Sequence, residues 1–173
     1  MAGAVEIVAS IVAADRPGLV KRLAEAIAGE EGNWVDSSMA RLGGSFAGIV
    51  RVSVPEARAA GLEAALSALA TDGITVLTRR SEGAAPVGAR AALDLTCADR
   101  PGIVRTISER LAARGVSIDE LETEVFTGSM SGEALFKASA RIVIPPETDA
   151  AEIARELETI GMDMMAEIRL RTD

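Results

Sequence analysis

From its fifth residue the chain alternates, with Val5, Ile7, Ala9 and Ile11 on one side and Glu6, Val8, Ser10 and Val12 on the other. A period of two predicts a strand with one well-buried face. Beyond Asp15-Arg16-Pro17-Gly18 the period changes, and Leu19, Leu23 and Ile27 recur at i, i+4 and i+8, the stripe of a helix. Asn33 to about Leu42 reads as a second strand. A third carries Phe46, Gly48, Val50, Val52 and Val54 on one face and ends at Pro55. A second helix follows with Leu62, Leu66 and Leu69, then a last strand near Ile74 to Arg79.

The same series then runs again. Ala14 to Val20 returns almost unchanged as Ala98 to Val104, Asp99 standing 84 residues after Asp15. The preceding strand repeats as Ala91, Leu93, Leu95 and Cys97 on the apolar face, and the helix as Ile103, Ile107 and Leu111. A second strand spans Ser117 to about Phe126. Phe136 then answers Phe46 and Pro145 answers Pro55, each 90 residues on, so six extra residues enlarge the hairpin at 127–132. Phe136, Ala138, Ala140, Ile142 and Ile144 line the third strand, with Arg141 matching Arg51 on the other face. Ile153, Leu157 and Ile160 line the second helix, and Met162 to Arg171 reads as the last strand. Pro17 and Pro101 suit the first helical turn, and Gly32 and Gly115 suit left-handed helix ends.

Each half is therefore β-α-β-β-α-β, and the fold class is α+β: two tandem ferredoxin-like domains, each a four-stranded antiparallel sheet with two helices on one face. The expected boundaries are 1–83 for the first domain, 84–88 for a linker at the end of Ser-Glu-Gly-Ala-Ala-Pro, and 89–173 for the second. Open sheet edges favour side-by-side pairing, of the halves or of subunits in a homodimer.

Composition narrows the function. Hydrophobic residues make up 49% of the chain but aromatics only 2%, so aliphatic side chains fill the cores and no base-stacking platform can be built. A net charge of −8 opposes a phosphate backbone, and direct nucleic-acid binding is not expected. With one cysteine and no histidine there is no intramolecular disulfide, no thiolate zinc site and no histidine base, so neither metal nor cofactor is expected. Cys97 reads as a small buried hydrophobe. The apolar run at 7–14 recurs mid-chain and is structural rather than a signal segment, no run is long enough to span a membrane, and the expected location is cytoplasmic. Neighbouring carboxylates such as Glu30 and Glu31 diverge in space, and no nucleophile and base occur together, so catalysis is not expected.

The chemistry lies in the repeated loops. A loop entering a helix presents unpaired amides that attract an anion, and Gly18 and Gly102 let a ligand come close. Asp15 and Asp99 would repel a phosphate, whereas a group bearing both charges suits amides and aspartate together, which points to a free amino acid. The same aspartates could instead cap their helices. Arg16 and Arg100 read as solvated or in surface ion pairs. Glu120, Glu122 and Glu124 share a strand face that is solvated or paired with arginine, or meets a basic patch or a divalent cation.

Asp-Arg-Pro-Gly at 15–18, the stretch Asn33-Trp34-Val35-Asp36-Ser37-Ser38-Met39, and Leu42-Gly43-Gly44-Ser45-Phe46-Ala47-Gly48-Ile49 together resemble the glycine cleavage system transcriptional repressor family of tandem ACT-domain proteins. The second half is similar in Ala98 to Val104 and in Ser131-Gly132-Glu133-Ala134-Leu135-Phe136. The resemblance implies a noncatalytic regulator that binds a small amino acid, glycine or serine, between paired domains and acts on transcription through a protein partner. It places the ligand at Asp15, Arg16, Pro17, Gly18, Leu19 and Asn33, and again at Asp99, Arg100, Pro101, Gly102, Ile103 and Ser117. Ser117 departs from the asparagine of the pattern, and Asn33 could also be a turn residue closing the helix. The alternative is a ligand-free scaffold for protein–protein interaction, with the 127–132 hairpin as a further contact.

Overall fold

The structure is a computed structural model and describes residues 3–81, 86–128 and 132–172. The chain divides into two compact units, Met1–Gly83 and Ala84–Asp173. The first runs β1 (Ala4–Ala14), α1 (Leu19–Gly29), β2 (Asn33–Leu42), β3 (Ser45–Pro55), α2 (Ala59–Ala68) and β4 (Ile74–Arg80), with a short 3-10 turn on each side of α2. The second runs β5 (Ala89–Ala98), α3 (Ile103–Ala113), β6 (Ser117–Thr127), β7 (Ala134–Ile144), α4 (Ala150–Met164) and β8 (Glu167–Thr172). The sheet orders are β2-β3-β1-β4 and β6-β7-β5-β8, antiparallel throughout, so each unit is ferredoxin-like.

One face of each sheet carries the core. Ile7, Ala9, Ile11 and Ala13 of β1 and Val50, Val52 and Val54 of β3 join Leu19, Leu23 and Ile27 of α1 and Leu62 and Leu66 of α2 in one cluster. The second unit gathers Leu93, Leu95, Ile142 and Ile144 with Ile103, Ile107, Leu111, Ile153 and Leu157. Both helices of a unit thus cover the same sheet face, as the 3.6 and 2.0 periods require. The duplication holds in the register: Cys97 pairs with Phe136 as Ala13 pairs with Phe46.

Cys97 is 4% exposed, and burial pushes its thiol up from the ordinary range. Thiolate is the reactive form, so maleimide should label the native protein slowly and the denatured chain orders of magnitude faster, which a timed alkylation reads directly. Fast labelling of the folded chain would contradict this burial.

Three local expectations change. Pro17 and Pro101 precede their helices instead of occupying the first turn. Gly18 (φ 92°) and Gly102 (φ 96°) are the N-caps, so Pro-Gly forms the two central positions of a type II turn, where only the second must be left-handed. The left-handed residue after α1 is Glu31 (φ 58°), not Gly32. A Cβ at Gly32 would stand 2.9 Å from the Ile27 carbonyl, so this glycine is there for close packing; in the second unit Gly115 does take the left-handed place. Finally, Met162 lies in α4 and not in the last strand. The helix runs on because Met164 packs into the core, and it ends only where Met165 turns left-handed (φ 51°) and Ala166 N donates to the Gly161 carbonyl at 2.8 Å.

The other sheet face differs between units. In the first, Arg51 donates to Asp36 from Nε at 3.0 Å and to Glu6 at 3.2 Å, and this guanidinium holds the Asp36 carboxyl below its usual range. In the second, Arg141 lies 3.4 Å from Glu120 and Lys137 3.4 Å from Glu124, so two of the three alternating glutamates are paired with cations. The enlarged hairpin falls partly outside the described residues, at 129–131. No helix among the described residues is long and apolar enough to cross a membrane.

Candidate functional site

The end of β1 meets the β2–β3 hairpin, because Leu42 pairs with Ser45 across Gly43 (φ 57°) and Gly44 (φ 80°), two left-handed residues of the kind a tight hairpin turn needs. The Asp15 amide donates to the Gly44 carbonyl at 3.0 Å, which pins the aspartate beside the start of α1. The second unit does the same with a longer hairpin, Asp99 N donating to the Ala134 carbonyl at 2.9 Å.

Neither aspartate caps its helix. Among the described residues no side chain accepts from the first-turn amides of α1 or α3, in contrast to α4, where Asp149 accepts from Ala151 N at 2.9 Å. The first-turn donors of both loops are therefore without a side-chain acceptor among the described residues. The repeated arginines turn to backbone carbonyls at the same end of the sheet, where Ala13 pairs with Ile74 and Thr96 with Glu167, and Arg16 also lies beside the Asp72 carboxylate. Arg16 donates to the Asp72 carbonyl ahead of β4, and Arg100 donates to the Met164 carbonyl at 3.4 Å at the end of α4. A guanidinium at the carbonyl end of a helix complements its dipole, so these residues tie the loop to the second helix of their own unit.

The acids themselves stand in different surroundings. Asp15 is half-buried, with Arg41 Nε 2.9 Å from its Oδ2. In the second unit Val125 occupies the place of Arg41, opposite Phe136 as Arg41 is opposite Phe46, and Asp99 is exposed and without a cation among the described residues. Around the first loop a surface depression of about 270 Å³ is lined by Arg16, Pro17, Gly18, Leu19, Lys21, Arg22 and Asp72. Arg22 bonds the Asp72 carboxylate and holds it below the usual range.

Sequence reasoning placed Leu19 and Ile103 among the ligand contacts, but both side chains are buried in the cores, which leaves their backbone amides for that role. It also missed Arg41, whose position follows from the glycine hairpin that turns the end of β2 back into β3, the strand paired with the end of β1.

Asn33 and Ser117 are not brought to the loops. Asn33 pairs with Ser53, and Ser53 with Glu6, nine residues before Asp15 along β1, so the two ligand candidates lie about 30 Å apart at opposite ends of one sheet. Ser117 pairs with Val143 and Val143 with Arg90, the same nine residues before Asp99. Because β1 and β2 run parallel, with β3 between them, no side-chain movement within a unit closes that gap.

Among curated proteins none matches the chain in sequence. The family model for the ACT domain matches residues 6–76. A solved structure of an unknown protein from Galdieria sulphuraria is 30% identical, with 99% of each chain covered and a TM-score of 0.83. A second, bearing the provisional name of glycine cleavage system transcriptional repressor, is 16% identical with 98% of each chain covered and a TM-score of 0.74, a likeness of fold. The family model thus identifies residues 6–76 as an ACT domain, and with the same fold repeated over the second half the chain has a tandem ACT-like arrangement.

Proposed function

We propose that the chain is a noncatalytic regulator which senses a small amino acid and passes its occupancy to a protein partner, as in transcriptional regulation of the glycine cleavage type. The observation that carries this reading occurs twice: an aspartate, Asp15 or Asp99, whose backbone is pinned beside helix-start amides that no described side chain caps. Amides suit the carboxylate of a zwitterion and aspartate suits its ammonium. Glycine or serine is the amino acid favoured here, in keeping with the name of the repressor structure whose fold this chain shares.

Occupancy regulates only if it favours one arrangement of paired domains over another, and a differential affinity of a few kcal/mol is enough. The acidic surface, at a net charge of −8, supports a protein partner over direct contact with DNA.

One observation favours a second reading, the ligand-free scaffold: Arg41 already neutralises Asp15. Calorimetry with glycine and serine separates the two. Saturable heat is expected, and Asp15→Ala and Asp99→Ala should each weaken their own site by roughly 1.5–3 kcal/mol, the worth of a charge-assisted hydrogen bond. If a panel of all common amino acids gives no heat, the scaffold reading stands and the sensor is abandoned.

A further inference from the structure

The two units differ most in the groove between their first helix and their edge strand. In the first, β2 sends Trp34, Ser37, Met39 and Arg41 to the helix side, opposite Val52, Val50, Gly48 and Phe46. Trp34 and Met39 pack against the core, and Met39 lies so close over Gly48 that a Cβ there would come within 2.6 Å of its Cγ. In the second, the matching positions on β6 are Ile118, Leu121, Thr123 and Val125. Of these, Ile118 packs against the core and Leu121, 45% exposed, lines the lip with Val104 of α3, itself 43% exposed, while Val125 is 57% exposed. Ala140 replaces Val50 on the floor.

What the indole and thioether fill in one unit is open in the other: an apolar cavity of about 30 Å³ beneath α3, lined among the described residues by aliphatic and aromatic side chains and Ser108. Its Ile103 and Phe136 end adjoins the Asp99 loop, since Ile103 begins α3 and Phe136 pairs with Cys97, two residues before Asp99.

We infer that the second unit selects an amino acid with a branched aliphatic side chain, its charged groups at the Asp99 loop and its side chain in this cavity. The inference rests on the reading of the loops given above and adds the class of ligand. Charge complementarity supplies the head group: Asp99 has no cation among the described residues and the α3 amides have no cap, which together match a zwitterion. The lining supplies the tail, because a polar side chain would find almost no partner there and would lose its hydrogen bonds to water. The volume sets its size. A water needs about 10–15 Å³ on this measure, so the cavity holds two or three heavy atoms, the forked end of valine or leucine and not an aromatic ring.

Calorimetry on the full chain with glycine, serine, leucine and phenylalanine as probes tests this, with Ala140→Val and Leu121→Ser as variants. The first restores the residue at Val50 to the cavity floor, and the second puts the residue at Ser37 on an exposed lip where folding is not at stake. Leucine is expected to bind about tenfold or more tightly than glycine, the effect of burying two or three carbons, and more tightly than phenylalanine. Each variant should lower leucine affinity severalfold or more and leave glycine affinity unchanged. Equal affinity for glycine and leucine at the second site, measured in a chain carrying Asp15→Ala to weaken the first, or a leucine preference that survives both folded variants, overturns the inference and leaves the amino-acid sensor intact. If none of the four probes binds, the inference falls together with the reading beneath it.

Discussion

Leu23→Ala should destabilise the first unit by about 2–5 kcal/mol, the range for truncating a buried leucine and leaving part of its volume empty. Leu23 is 1% exposed and lies between Leu19 and Ile27 on the buried stripe of α1. Packing must hold this helix, because its N-terminus lacks a side-chain cap, no acid occupies its first turn and no base its last. An 11-residue helix without such help is marginal in water, so its stability is borrowed from the sheet beneath it. The same helix presents the amides of the first loop, so the unit's fold and its candidate site should be lost together. Val20, next to Leu19 but 47% exposed, is the control: Val20→Ala is expected to change stability by less than about 0.5 kcal/mol. Denaturant unfolding of both variants measures the contrast. Equal midpoints would mean that α1 is not held by its stripe.

Sequence periodicity located nearly every element because the fold is carried by aliphatic side chains at clean spacings. The stripe at Ile103, Ile107 and Leu111 and the alternation from Phe46 to Val54 each point to one face, and that face is buried. The misplacements fall where a single backbone angle decides. Glu31 adopts the left-handed angle that Gly32 was expected to take, because at Gly32 the scarce quantity is space and not conformational freedom. The helix α4 reads through Met162 into territory that looks like a strand, since the signal for its end is a methionine, a residue with no preference for that conformation.

The loops were legible as a motif, but their surroundings were not. That Arg41 reaches Asp15 while Val125 leaves Asp99 bare depends on which strand ends meet, and that is known only once the sheet order is known. The 30 Å between Asp15 and Asn33 follows in the same way from β1 and β2 running parallel on either side of β3.

That separation makes a strong demand on the proposed sensor, and it yields the prediction with the sharpest outcome. If Asp15 and Asn33 serve one ligand, they must come from two ACT units. Antiparallel pairing of β2 with β2 of a second copy sets the start of each strand against the end of the other. The partner's Asn33 then lies about three strand spacings, roughly 14 Å, from the end of β1, a gap that the β1–α1 loop and a bound amino acid can bridge. The edge chemistry favours β2 for this. Its centre, Ser37-Ser38-Met39-Ala40, carries no charge, whereas β6 carries Asp119, Glu120, Glu122 and Glu124, and pairing β6 with itself would set carboxylates against each other.

A two-fold dimer of this kind holds two equivalent sites, each with Asp15 from one copy and Asn33 from the other. Asp15→Ala alone or Asn33→Ala alone should weaken glycine binding at both sites, by about tenfold or more where a charge-assisted bond is lost. Equal amounts of the two variants, allowed to exchange subunits, should form mixed dimers as about half of the population. Each mixed dimer has one intact site and one missing both residues, so about a quarter of all first-unit sites should regain full affinity, read as calorimetric stoichiometry. Recovery on mixing requires that the site be shared between copies, since no arrangement within a single unit can join residues at opposite ends of its sheet. A mixture that binds no better than its components would show that β2 is not the seam, and an Asn33→Ala chain that binds glycine normally would remove Asn33 from the site.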